Sequence, residues 1–395
     1  MTPSHPHRSP WIAIFALYAA GLGAAGQFAK MAVILPELGR AYPQAGAALG
    51  FLISLISLMG VLLGLVAGLL VARIGFRRTL LWALLIGAAI SLIETLLPPL
   101  PLMLGLRVIE GSTHLALVVA APTLIAQVAP DRIRPAALTL WGTYFSVAFA
   151  ATAFLGVPLA RSFGPQILFA LHAGWMILMA LVLLRLLPAD RTRPQASPQM
   201  ALSPAALLRR HLSLYSSAFL SAPAWGWLFY TLTFVAILAV WPPLLPPATG
   251  TLTATLAPLA AITASMTLGV TLLRHWPAVR VVMLGFALAL GLALILPFAP
   301  ENPVPVIALF GALGLVQGAS FAAIPQLNDT VGDRALANGA LAQMGNLGNM
   351  LGTPLMLGVL AVGGKPAVIA VLALCYGMAL ITHLGLDRAR RRLQP

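Results

Sequence analysis

The sequence predicts an all-α membrane protein: twelve transmembrane helices arranged as two pseudo-symmetric six-helix bundles. Three observations carry that prediction. Of 395 residues, 60% are AVILMFWYC and only 8% are charged, against about 25% charged in a soluble domain. So few charges cannot cover a water-facing surface, and lipid must be the solvent for most of the chain. The apolar residues gather into runs of about 20 or more, the length that crosses a hydrocarbon core, where unpaired backbone groups leave helix as the available structure. A single long polar stretch interrupts the series halfway.

In order, the runs are 11–36, 45–72, 79–98, 101–128, 136–160, 166–188, 214–241, 253–273, 279–299, 304–328, 337–362 and 366–386. The first is longer than the apolar core of a signal peptide, contains Lys30 and is followed by many others, so it reads as a retained helix. Short connections rich in Pro, Gly or charge separate the runs, as in Pro98-Pro99-Leu100-Pro101 and Pro300-Glu301-Asn302-Pro303. Residues 189–213 are different, beginning Ala189-Asp190-Arg191-Thr192-Arg193-Pro194 and ending near Arg209-Arg210-His211. This Pro/Ser/Arg-rich stretch divides the chain into an N-terminal six-helix bundle (1–188), a cytoplasmic central linker (189–213) and a C-terminal six-helix bundle (214–395).

The net charge of +14 raises nucleic acid as a partner, but the basic residues sit in short loops between apolar runs. That pattern belongs to cytoplasmic loops. With both termini in the cytoplasm, Arg40, Arg161 and Lys365 alone fall on the far side, Lys30 and Arg107 lie inside helices, and the remaining basic residues are cytoplasmic. A plasma membrane, of bacterial inner-membrane type, is the expected location. Cys375 is the single cysteine, which excludes an intrachain disulfide framework or a CxxC metal site.

Two related halves should show self-similarity, and an offset of roughly 200 residues finds it. Gly68 and Arg73 match Gly269 and Arg274; Gly111 and Pro122 match Gly314 and Pro325; Asp131-Arg132 matches Asp333-Arg334.

The loop between helices 2 and 3 reads Gly68-Leu69-Leu70-Val71-Ala72-Arg73-Ile74-Gly75-Phe76-Arg77-Arg78. It resembles the Gly-x-Leu-x-Asp-Arg-x-Gly-Arg-Arg/Lys-Arg/Lys signature of the major facilitator superfamily of secondary transporters, with Gly68, Leu70, Arg73, Gly75, Arg77 and Arg78 matching. Ala72 stands where that pattern has its acidic residue. In helix 4, Arg107-Val108-Ile109-Glu110-Gly111 looks like the family's Arg-x-x-Gln-Gly element, and the six-plus-six layout extends the resemblance across nearly the whole chain. The resemblance implies a conformational latch at Gly68, Arg73, Gly75, Arg77, Arg78, Asp131 and Arg132. Without a carboxylate at Ala72, the outward-facing state should be less strongly latched than in relatives that carry Asp. The family's glycine-rich Gly-Pro antiporter motif fits helix 5 poorly, because Gly156-Val157-Pro158 is one residue out of step. Gly345, Gly348, Gly352 and Pro354 in helix 11 read as close packing.

Ionisable residues inside a bilayer are functional candidates by default. Lys30 lies six residues before Pro36 and Arg107 six after Pro101, each about 9 Å below the outer helix end. Glu110 and His114 follow Arg107 on one helical stripe, and Gln27 lies one turn from Lys30. In the resembling fold, helices 1 and 4 line a central cavity, where these groups would converge. Two cations and one carboxylate would favour an anionic substrate, with Glu110 carrying the coupling proton. The bland reading is a structural Glu110–Arg107 or Glu110–Lys30 pair. Glu94, four residues before Pro98, is expected to be hydrated near the interface and structural, and His172 and His383 show no evident partners. In the second half, Gln317 matches His114 under the repeat, Asn346 and Asn349 lie in helix 11, and Trp227 and Tyr230 could stack on a substrate or simply pack.

No phosphate-binding Gly-rich loop, metal-ligand cluster or nucleophile motif stands out. An enzyme and an ATP-driven pump are therefore not expected, and no cofactor beyond a proton gradient is called for. The expected function is secondary active transport of a small organic solute, an anion favoured, by proton-coupled alternating access. Proton-coupled drug or metabolite efflux is the alternative. A non-transporting receptor or scaffold is the alternative of another class, though the largest polar segment offers only about 25 residues for it. The expected partners are the small-molecule substrate and the lipid bilayer, with no nucleic acid, and the protein is expected to be a monomer.

Overall fold

The computed structural model describes residues 9–130, 132, 133, 137, 140–190, 204–299 and 301–393. Among them all regular structure is helical. Eleven helices are long and apolar enough to cross a membrane. The last, Val331–Leu393, is two spans meeting at Gly364, whose φ of 64° and ψ of −161° break the helical path.

The spans are labelled in chain order. The first four are α1 (Pro10–Ala32), α2 (46–74, built from Gly46–Leu49, Gly50–Ser54, Leu55–Ser57 and Leu58–Ile74), α3 (Phe76–Glu94) and α4 (Leu100–Val128). Next come α5 (Tyr144–Phe163), α6 (Gln166–Leu186), α7 (Ala222–Val240) and α8 (Pro247–Leu273). The series ends with α9 (Ala278–Ile295), α10 (Val304–Leu327), and α11 and α12 before and after Gly364.

Local chemistry moves some boundaries from their expected places. α3 stops at Glu94, where a tight turn through Leu97, at φ 46°, leads into Pro98 and Pro99. Proline disfavours helical backbone in the residue before it and cannot donate to a previous turn. α7 starts at Ala222 with Pro223 in its first turn, a position where the missing N–H costs nothing. Part of the expected polar linker is instead ordered as the helix Pro204–Ser216. Its Leu214 is buried with Ala224 of α7 and Ala340 of α11.

Burial is distributed as lipid demands. Trp82, Leu96, Phe154, Leu181 and Phe298 are exposed, while Lys30, Glu94, Arg107 and Glu110 are buried. A water-soluble protein would reverse that arrangement; a chain whose surround is hydrocarbon places its charges inside.

Glycines let the helices approach, and the internal repeat is visible in how they do so. A Cβ on Gly111 of α4 would lie 2.3 Å from the Ile56 carbonyl oxygen of α2. On the matching Gly314 of α10 it would lie 2.1 Å from the Ala261 carbonyl oxygen of α8. Small residues at such crossings let backbones touch. The glycines of α11 do the same against α7: a Cβ on Gly348 would meet Thr231 and the Leu228 carbonyl, and one on Gly352 the Leu232 carbonyl.

Candidate functional site: a closed ion cluster inside the first six helices

Lys30 sits in the last turn of α1, Glu94 at the last residue of α3, and Arg107 and Glu110 one turn apart on α4. All four are at most 2% exposed. Each carboxylate bridges both cations. Glu110 accepts from Lys30 Nζ on Oε1 at 2.8 Å and from Arg107 on Oε2. Glu94 accepts from Lys30 on Oε2 and from Arg107 Nη1 on Oε1 at 3.4 Å. The result is a closed ring of two positive and two negative charges joining α1, α3 and α4.

Backbone and neutral side chains complete the coordination. Lys30 gives its third hydrogen to Ser91 Oγ at 2.6 Å and lies 5.7 Å from the ring centre of Phe169. An ammonium has three hydrogens, and the acceptors Ser91, Glu94 and Glu110 take all of them. Arg107 Nε donates to the Leu52 carbonyl at 2.6 Å, and Nη2 to the Gln27 carbonyl at 2.7 Å. Leu52 lies in the segmented first part of α2, close to its 3-10 turn Leu55–Ser57, and Gln27 one turn before Lys30 on α1.

The network reaches α6 as well. The Gly23 carbonyl can only accept, so His172 Nε2 donates to it at 2.9 Å, and Nδ1 is left to accept from Ser91 at 2.7 Å. Ser91 thereby links Lys30 to His172. Gln27 Nε2 donates to Thr113 Oγ1 at 2.8 Å, and Thr113 to the Glu110 carbonyl at 2.7 Å. His114 Nδ1 donates to the Ala24 carbonyl at 3.1 Å and meets Phe28 edge-on.

Three sequence expectations change here. Glu94 is not a hydrated interfacial residue: it is wholly buried and is the fourth corner of the ring. Its distance from Pro98 reads as a shallow position, but the side chain at the end of α3 reaches Lys30 of α1 and Arg107 of α4. The surplus positive charge read from Lys30, Arg107 and Glu110 disappears for the same reason. His172 is fully partnered, whereas neither ring nitrogen of His383 has a hydrogen-bond partner. Ser91 and Glu94, three residues apart on α3, were findable as one polar stripe on an apolar helix.

Gln27, Lys30, Arg107, Glu110 and His114 do come together, but between α1, α3, α4 and α6. The second-half candidates lie elsewhere. Trp227 and Tyr230 stack on each other at 4.6 Å, and Trp227 meets Phe321 edge-on. Gln317 donates to the Gly142 carbonyl at 3.3 Å. Asn346 crowds Gly60 of α2 and donates to the Ala342 carbonyl.

At the loop between α2 and α3, the Arg77 and Arg78 backbone N–H groups donate to Asp190 at 3.0 and 2.9 Å. Asp190 therefore caps the N-terminus of α3 from beyond the end of α6, a favourable charge–dipole contact. Arg77 Nη2 also donates to the Leu184 carbonyl at 2.8 Å. Gly75 is required on two counts: its φ is 105°, and a Cβ would lie 2.4 Å from Asp190 Oδ2. Arg73, Arg78 and Arg132 are exposed, Gly68 lies within α2, and Asp131 falls outside the described residues.

A second polar node joins α2, α11 and the helix Pro204–Ser216. Gln343 Nε2 donates to the Val61 carbonyl at 3.0 Å and contacts His211 Nε2 at 3.0 Å, while its oxygen accepts from Tyr215 at 2.9 Å. Burial pushes the Tyr215 phenol up to about 12, so it keeps the proton it donates. Nothing in the residue pattern around Gln343 announced this role.

Among curated proteins, none matches the chain. The family model of the Major Facilitator Superfamily matches residues 11–252, a stretch that contains the whole ion cluster, the α2–α3 loop and α7. With the helical architecture, that match places the chain in a family of secondary transporters: it belongs to the Major Facilitator Superfamily.

Proposed function

We propose that the protein is a proton-coupled secondary transporter of a small organic anion, working by alternating access of its two halves. The single observation that carries this reading is the saturation of the buried ring. With both carboxylates ionised the ring is neutral and Lys30 has no hydrogen to spare. An anion therefore finds no net charge and no free ammonium hydrogen. When a proton neutralises Glu94 or Glu110, the ring becomes singly positive and a cationic donor is released. Proton uptake and anion binding are then linked in both directions, as coupling requires. Anion arrival raises the proton affinity of the carboxylate it displaces, and protonation raises affinity for the anion.

The experiment is proton flux in proteoliposomes loaded with a pH-sensitive dye. A panel of carboxylates should drive proton movement in the direction of the anion gradient, and Glu110→Gln should abolish coupling while leaving protein in the membrane. Proton movement opposite to that of a neutral or cationic solute would replace this reading with efflux by antiport. Absence of proton movement with every carboxylate, in protein whose fold is verified, would refute the symport.

A further inference from the structure

Two of the three basic residues placed by the sequence on the face away from the chain termini stand over one cavity. Its volume is about 570 Å³, and Glu37, Arg40, Leu97, Ala160, Arg161 and Gly164 are among its lining residues. That is within the range of small-molecule sites. The walls come from three connections at the same end of the bundle: the helix Leu35–Ala41 after α1, the α3–α4 turn, and the end of α5.

Charge in this cavity does not cancel. The buried Glu37 carboxylate accepts from Arg40 Nη2 at 3.3 Å and lies 4.0 Å from Arg161 Nε. One carboxylate between two guanidiniums leaves one positive charge. The arginine side chains are 76% and 52% exposed, so their remaining donors are within reach of a solute. Guanidinium forks suit carboxylate and phosphate oxygens in pairs.

The cavity wall also carries strain. Leu97 has the positive φ of 46°, the one such value at a non-glycine position among the described residues. Backbone strain of this kind gathers at ligand sites and switch regions. Leu97 follows Glu94 of the ion ring by three residues. Next to it, Tyr42 donates to the Pro98 carbonyl at 2.7 Å, and burial together with the charge of Glu94 raises the Tyr42 phenol above its ordinary value.

We propose that this cavity is an anion-binding vestibule in which Arg40 and Arg161 hold a singly charged carboxylate or phosphate group. The ligand is a free small anion or the headgroup of an anionic lipid, which present the same chemistry. Binding here needs neither the ring nor transport, so the vestibule stands or falls apart from the transport reading.

The test is a titration of the purified full-length protein in uncharged detergent, read as thermal stabilisation at constant ionic strength against chloride. The probes are acetate, benzoate, inorganic phosphate and dihexanoyl phosphatidylglycerol. At least one probe should bind the wild type, and Arg40→Gln with Arg161→Gln should weaken it about tenfold, the loss of roughly one charge-assisted contact. Lys30→Met with Glu94→Gln, whose ring stays neutral and has no ammonium to release, should keep that binding. Stabilisation by the phospholipid alone assigns the site to a headgroup; stabilisation by acetate, benzoate or phosphate assigns it to a solute. Binding unchanged in the double variant, or no binding of any probe by the wild type, overturns the vestibule.

Discussion

Lys30 of α1 and Glu110 of α4 meet at 2.8 Å, with both side chains sealed from solvent. The same ammonium also holds Glu94 of α3, so one cation fastens two carboxylates from two further helices. A buried charge is tolerable only while it is paired, and this ring pairs every charge twice.

Removing one corner should therefore cost far more than removing a balanced pair. Lys30→Met leaves two carboxylates to one guanidinium and should destabilise the protein by about 3–5 kcal/mol. Lys30→Met combined with Glu94→Gln restores neutrality and should recover much of that loss. Thermal unfolding in detergent checks both. A single variant as stable as wild type would show that the ring does not hold these helices together.

Gly111 and Gly314 occupy matching places in the repeat and touch matching backbones. Alanine at either position would push a Cβ to 2.3 or 2.1 Å of a carbonyl oxygen, and the helices must separate. Each substitution should cost about 1–3 kcal/mol, the usual scale of overpacking. Gly105 of α4 and Gly174 of α6 have nothing within 4 Å. Alanine there should be neutral or should stabilise by up to about 1 kcal/mol, by helix propensity alone. Equal effects at crowded and open positions would contradict the packing.

Asp190 does for α3 what an N-capping side chain normally does, but from a distant part of the sequence. Asp190→Ala should cost about 0.5–2 kcal/mol, and Asp190→Asn less, because an amide oxygen still accepts. Hydrogen exchange at Arg77 and Arg78 is the direct readout. If those amides exchange no faster in Asp190→Ala, the cap is not made in solution.

Gln343→Leu removes the amide that ties α2 and α11 to the helix Pro204–Ser216. One hydrogen bond is worth about 1 kcal/mol net, so amide exchange in 209–216 should rise about fivefold or more. Accessibility labelling from the side of the chain termini should rise as well. Unchanged exchange would mean that the helix is held by Leu214 and its apolar neighbours alone.

The helices were legible because hydrocarbon imposes a length and a composition on every crossing. The α2–α3 loop was legible only in part. Gly75 and the arginines stand in the family's pattern, but the carboxylate that meets them comes from Asp190, which no local pattern connects to Gly75. Glu94 is visible as a carboxylate, but its depth depends on Lys30 of α1 and Arg107 of α4 lying beside the end of α3.

Composition and run length are enough to give the solvent, the helical class of the crossings and the residue types that lipid forces inward. Tertiary structure alone decided that Glu94 closes the ring, that Ser91 and His172 extend it, and that Arg40 and Arg161 share one cavity. The physical reason is the range of the forces. Hydrophobic length and helix period act within a span and are written along the chain. Charge pairing in a dry interior depends on which helices lie side by side, and that is written nowhere in the local sequence.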